Sequence, residues 1–205
     1  ERLLDIVSAT PAGQPVPNLF LGTIHNLLLA GAQHELAAFY PSCVAEPKPH
    51  QHAFPAFREF CLAHEIVIRD LIAQKRVQTN EVRRCAYLLP AFMHVSRTTG
   101  DRPLALIDIG ASGGLNLIWD RYAYDFGPGK VWGDPAAPVR ITTELRGNLV
   151  PGMTAQPPVV AHRIGVDLHI PEVTSTAEAL WLKALIWPDQ PERMELLTKA
   201  IAEWR

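Results

Sequence analysis

Leu104-Ala-Leu-Ile-Asp-Ile-Gly110-Ala-Ser-Gly-Gly114-Leu-Asn116 is the stretch on which the reading of this chain turns. Its first six residues form a short apolar run between Pro103 and Gly110, the pattern of a strand covered on both faces. The glycines after it let the chain turn tightly and let a ligand approach the backbone without meeting a Cβ. Leu115 to Tyr124 then reads as a helix, whose free N–H groups would point at whatever sits in the loop. Asp108, at the carboxyl end of the strand, is placed to hydrogen-bond loop amides or a cationic ligand. Strand, glycine-rich loop and helix in this order make an α/β, Rossmann-like site for a nucleotide-type cofactor.

Upstream of this stretch the pattern is helical. Leu19–Tyr40 carries Leu21, Ile24, Leu28, Leu29, Leu36 and Phe39 at near-helical spacing, and Pro41 stops it. A loop with Pro47, Pro49 and Pro55 comes next. A second helix fits Phe57–Lys75, and a third runs from Thr79, as N-cap, to Thr98, bent or shortened by Pro90. Downstream, Val139–Glu144 alternates and is rich in β-branched residues, so it reads as a strand ending near Arg146-Gly147. Val159–Leu168 is a further strand candidate. Ser175 and Glu178 have the spacing of a capping box ahead of a helix to about Ile186, and Asp189 and Glu192 repeat it before Met194–Arg205. The expected organisation is a helical N-terminal domain, residues 1–100, followed by a Rossmann-like cofactor-binding region, residues 101–205. Two or three strands are too few for a doubly wound sheet, so either further strands follow beyond this chain or the sheet is small, and the first is expected because the chain stops inside a helical pattern.

Composition narrows the possible partners. Of 205 residues, 48% are hydrophobic and 20% charged, which is ordinary for a globular protein able to bury a sizeable core. A net charge of −2 gives no electrostatic case for a nucleic acid or an acidic membrane. The basic patch Arg76, Arg83 and Arg84 has Glu81 among it and reads as a solvated face. The longest apolar stretch, Leu19–Ala32, is broken by His25 and Asn26 and falls short of the roughly 20 residues a membrane span needs. Glu-Arg-Leu-Leu-Asp at the start lacks the features of a signal peptide. Cys43, Cys61 and Cys85 form neither a disulfide framework nor a metal motif, so a cytoplasmic protein with reduced thiols is expected. The expected partner is a small molecule.

Asp108-Ile-Gly110-Ala-Ser112-Gly-Gly114 resembles the first motif of class I S-adenosylmethionine-dependent methyltransferases, an acidic residue followed by G-x-G-x-G. Gly110 and Gly114 match the outer glycines, and Ser112 stands in place of the middle one. The resemblance implies S-adenosylmethionine as cofactor, with Asp108, Gly110, Ser112, Gly114 and Asn116 around it. It also implies an acidic residue on the ribose hydroxyls, at Glu144 or Asp167; both lie farther along than the usual spacing of about 20 residues. Thr79–Arg84, Leu104–Asp120, Arg163–Leu168 and Trp181–Arg193 together resemble an uncharacterised bacterial family, known as a domain of unknown function, whose members are longer than this chain. That likeness implies a helical part joined to a methyltransferase-like fold, with no established activity, and makes Asn80, Glu81 and Arg84 candidate lid or substrate contacts. A non-catalytic protein that kept the fold is the second possibility.

Gly110-Ala-Ser112-Gly-Gly114 also satisfies G-x-S-x-G, the nucleophile elbow of α/β-hydrolases, with Asp134 or Asp167 and then His162 or His169 in the required order. Against it stands a preceding hundred residues that read as helical rather than as a sheet. His50 and His52 form an H-x-H without a third ligand, and His64-Glu65 is not followed by His at position 68, so no metal is expected. Trp119, Tyr122 and Tyr124 are expected in the core, Asp120 outside it, and Trp181 and Trp187 as the closure of the last helices onto the sheet.

Overall fold

The computed structural model describes residues 1–146 and 158–205. They fall into two compact units, Glu1–Thr79 with Ser175–Met194, and Asn80–Thr174 with Glu195–Arg205. Residue 100 marks where the type of secondary structure changes, whereas these units follow packing.

The first unit is helical, formed by α1 (Arg2–Val7), α2 (Val16–Leu29), α3 (Phe54–Ala63), α4 (Glu65–Gln74) and α6 (Thr176–Ala184). Ile6, Leu19, Ile24, Phe60, Ile68 and Ile72 are fully buried in its core. The four-residue spacing of Phe20, Ile24 and Leu28 in α2, and of Ile68 and Ile72 in α4, puts buried side chains on one stripe of each helix. Two expected helices are shorter than the sequence suggests. α2 ends at Leu29 because Gly31 takes φ +96°, and a separate 3-10 turn spans Glu35–Phe39. The expected Phe57–Lys75 helix begins earlier and is two helices, broken at His64 (φ −111°, ψ 20°). Trp181 does not close a helix onto a sheet. It packs in this helical core and donates its indole N–H to the Arg76 carbonyl at 2.9 Å. Beside it the Lys75–Glu178 ion pair at 2.7 Å uses the carboxylate expected to cap α6, and Ser175 makes no side-chain cap.

The second unit is mixed α/β. It holds α5 (Cys85–Thr98), β1 (Leu104–Ile109), β2 (Ala123–Asp125), β3 (Val131–Trp132), β4 (Arg140–Thr142) and β5 (Val160–Val166). The last helix, α7 (Pro191–Trp204), ends within it. β1 pairs in parallel with β5, Ala105 opposite His162 through Ile109 opposite Val166. β3-β2-β4 form a separate small sheet, antiparallel at β2–β3 and parallel at β2–β4. No strand precedes residue 104 among the described residues, as expected. The α5 segment starts later than Thr79: a 3-10 turn covers Val82–Arg84, capped by Glu81, which accepts the Arg83 N–H at 3.1 Å. The Val139–Glu144 strand is reduced to β4, and Gly147, its expected end, lies outside the described residues.

Coverage of β1 departs from expectation. Leu104 and Leu106 are buried, but Ile107 is 67% and Ile109 85% exposed, and Ile164 and Val166 on β5 share that open face. Successive Cβ atoms alternate across a strand. Both faces of β1 are apolar, so the sequence alone could not separate the covered face from the open one. Among the described residues β1 pairs with β5 alone and is not central. Leu106→Ala is therefore expected to destabilise the unit by about 2–4 kcal/mol through cavity formation, while Ile107→Lys should change stability by less than about 0.5 kcal/mol. Denaturant unfolding of the two variants checks this; equal losses would mean that both faces are covered.

Candidate functional site

The glycine-rich loop leaves the carboxyl end of β1 as a continuation of the ladder, with the Gly110 and Ala111 N–H groups both donating to the Val166 carbonyl (2.8 and 3.2 Å). Gly110, Ser112 and Gly114 alternate into left-handed backbone, at φ +83°, +48° and +72°. For Ser112 that conformation costs on the order of 1–2 kcal/mol, so something must hold it. Asp167, just past β5, accepts the Ser112 N–H on Oδ2 at 2.7 Å. Asn80 donates from Nδ2 to the Ser112 hydroxyl at 2.7 Å and accepts the Gly113 N–H on Oδ1 at 3.2 Å. The Gly114 N–H turns back to the Ala111 carbonyl at 2.8 Å. All five amides from 110 to 114 thus have acceptors within the protein.

The loop's own amides are committed within the protein and are not available as donors to a ligand. Asp167 takes the loop-binding part foreseen for Asp108. Ser112 is only 4% exposed, and a Cβ added at Gly113 would lie 2.5 Å from Val173 Cγ1, or at Gly114 3.1 Å from the Trp204 ring. Gly110 alone faces open space, with no atom within 4 Å of an added Cβ.

The segment after the loop is not the expected α-helix. Leu115–Arg121 is a 3-10 helix with Ile118 outside helical values. Its carbonyls are captured by side chains: Tyr122 donates to Leu115 and Tyr124 to Trp119 (both 2.7 Å), and Arg163 Nε donates to Leu117 at 2.9 Å. The Trp119 carbonyl also accepts the Tyr122 N–H at 3.2 Å, the three-residue bond of a 3-10 segment. Arg163 also holds the Asp120 carboxylate at 2.5 Å, which accounts for the one acidic residue in this aromatic segment. Trp119, Tyr122 and Tyr124 are buried as expected, and burial pushes both tyrosine hydroxyls far above their ordinary pKa.

Three of the expected site residues meet elsewhere. Arg84, Asp108 and Asn116, with Tyr87, Phe92 and Ile107, line a groove of about 690 Å³ inside the second unit. It touches Ala105, Leu106, Ile107 and Asp108 in succession. Side chains of consecutive strand residues alternate faces, so the groove follows the edge of β1 opposite β5. Asn116 accepts a hydrogen bond from the Cys85 thiol at 3.4 Å. Burial pushes that thiol up to about 12, so it is a donor and not a nucleophile at neutral pH. Sequence reasoning missed this contact, and it missed Val173 and Trp204 as the cover of the loop. Glu144 is exposed and 3.8 Å from Arg146, and no contact among the described residues brings it to the loop. Glu81 caps the turn before α5. No group of three or more His, Cys, Asp or Glu side chains suited to a metal occurs among the described residues, and none of their helices is long and apolar enough to cross a membrane.

The hydrolase constellation is not assembled at Ser112. Its hydroxyl is bonded to Asn80, and His162 pairs opposite Ala105, at the far end of β1 from the loop. His169 donates its backbone N–H to Asp167 Oδ1 at 3.1 Å, while Asp134 accepts the Ala136 N–H in a turn.

Residues 1–205 match the family model described as "Uncharacterized protein conserved in bacteria (DUF2332)", and the chain belongs to that family. No curated protein and no solved structure matches it.

Asn80 is the residue on which the closed loop depends most visibly. Asn80→Ala removes both bonds and leaves the buried Gly113 N–H unpaired, with an expected loss of about 2–3 kcal/mol. Asn80→Asp keeps an acceptor for Gly113, and the Ser112 hydroxyl can rotate to donate, so the loss should be smaller. Melting temperatures of both variants equal to that of the native chain would show that the clamp contributes nothing.

Proposed function

We propose that this member of an uncharacterised bacterial family is a methyltransferase-like protein that binds S-adenosylmethionine at the carboxyl end of β1. The observation that carries the reading is the convergence of Asp108, Asn116 and Arg84 on one groove along β1, with Asp108 and Asn116 flanking the glycine loop in sequence. Ligands of α/β sheets gather outside the carboxyl ends of parallel strands, and a volume of this order suits a small molecule.

The side chains present fit such a ligand by charge and type. The Asp108 carboxylate suits an ammonium or sulfonium group, the Arg84 guanidinium suits a carboxylate, and Tyr87 and Phe92 suit a planar base. Gly110, with open space at its Cβ position, allows close approach to the backbone. Because the loop amides are already paired, recognition would rest on these side chains and not on the loop N–H groups. Asp167 then acts as a positioning residue that holds Ser112 in place. The bound cofactor would supply a methyl group on a positively charged sulfur. The protein's contribution is to orient it and to exclude water.

Retention of the fold without catalysis is the second reading, favoured by the buried, internally satisfied loop. Titration calorimetry of the chain with S-adenosylmethionine and its demethylated product separates the two. Binding that Asp108→Ala weakens at least tenfold, about 1.4 kcal/mol, and that Gly110→Val abolishes, is expected. No heat and no thermal shift at saturating ligand would leave the non-catalytic reading.

A further inference from the structure

His25, on α2 in the first unit, is 1% exposed. Its Nδ1 stands 3.0 Å from the Ala184 carbonyl oxygen, and its Nε2 stands 2.7 Å from the Ser42 hydroxyl. A carbonyl oxygen can only accept, so Nδ1 carries the hydrogen. Burial lowers the pKa of His25 from its ordinary value, so the ring is neutral at pH 7 and Nε2 is a bare acceptor. The Ser42 hydroxyl must therefore donate to it. This is the polarity of a nucleophilic hydroxyl and its general base, with a backbone carbonyl in the place of the orienting carboxylate.

Accessibility agrees with that assignment. Ser42 is partly exposed while its base is shielded. The ring also borders a cavity of about 210 Å³ whose walls mix Asn18 with Leu21, Tyr40, Leu185, Ile186 and Trp187, large enough for a short acyl chain. The titratable groups beside the pair are Tyr40, ring centroids 5.6 Å apart, and Cys43, whose sulfur is 3.8 Å from the Ser42 oxygen. Burial pushes the Tyr40 hydroxyl well above its ordinary pKa, so it stays protonated.

We propose that Ser42 is an acyl-accepting nucleophile with His25 as its general base, acting on short-chain carboxylic esters. Ser42 Oγ bonds to the ester carbonyl carbon as His25 Nε2 takes the hydroxyl proton. The bond to the alkoxy oxygen then breaks, and the alcohol leaves with that proton. Water, deprotonated in turn by His25, adds to the acyl-serine, and the acid departs as the proton returns to Ser42. The site is independent of the groove in the second unit.

The test treats the full chain with a fluorophosphonate probe, maps the adduct by mass spectrometry, and follows hydrolysis of p-nitrophenyl acetate. An adduct on Ser42 and none on Ser112 is expected. Ser42→Ala and His25→Gln should each lower ester turnover at least tenfold. Labelling should be full above the lowered pKa of His25 and fall as pH drops through it. If His25→Gln does not fold, Ser42→Ala and the pH profile of the native chain carry the test. No adduct on Ser42, an adduct on Ser112 in its place, or labelling that ignores pH would each overturn the proposal, leaving the pair as a hydrogen bond that ties Ser42 to α2.

Discussion

The hydrogen bond from the Ser112 amide to Asp167 joins the two strands of the parallel pair at their carboxyl ends. Without it, a non-glycine residue in left-handed backbone would have no side-chain anchor from β5, and the loop would be free to open. Asn80 supplies the second half of the clamp from the other side of the loop, one bond to the hydroxyl and one from the next amide. The clamp has a cost for recognition. A loop whose donors are all committed cannot receive an anion on its backbone, and the proposed ligand contacts Asp108, Arg84 and Asn116 line the groove along β1 instead.

Side-chain bonds to the backbone also mark the segment after the loop. In Leu115–Arg121 three carbonyls are taken by Tyr122, Tyr124 and Arg163, and the chain settles into a 3-10 segment that leads directly into β2. The buried tyrosines contribute both apolar area and a satisfied hydroxyl, which is what allows them inside. Arg163 in addition neutralises Asp120. A side chain more than forty residues further along thus helps to fix the conformation of this segment.

The elements most legible in the sequence are those defined by local composition. β1 and β5 stand out as apolar or β-branched runs, and both lie within the residues expected for them. Asp167 and Glu144 are equal candidates on sequence alone, and only pairing of β5 with β1 brings Asp167 to the loop. Helix limits are harder to read. Gly31 ends α2 in a left-handed turn, and His64 interrupts a stretch whose periodicity continues across the break. The capping signal at Thr79 misleads, because Glu81 serves there, whereas Ser175 stands at the N-cap of α6 as expected although its side chain makes no cap bond. The pairing of His25 with Ser42 and with Ala184 has no local signature, since its partners are 17 and 159 residues away.

A loop closed on itself before any ligand arrives is the claim that most else depends on, and amide hydrogen exchange reads it directly. In the ligand-free chain, Ser112 and Gly113 are expected to exchange orders of magnitude more slowly than an unstructured peptide. Asn80→Ala should release Gly113 while Ser112 stays protected by Asp167. Fast exchange at both positions in the native chain would contradict the clamp, and would return the loop amides to the role of ligand donors.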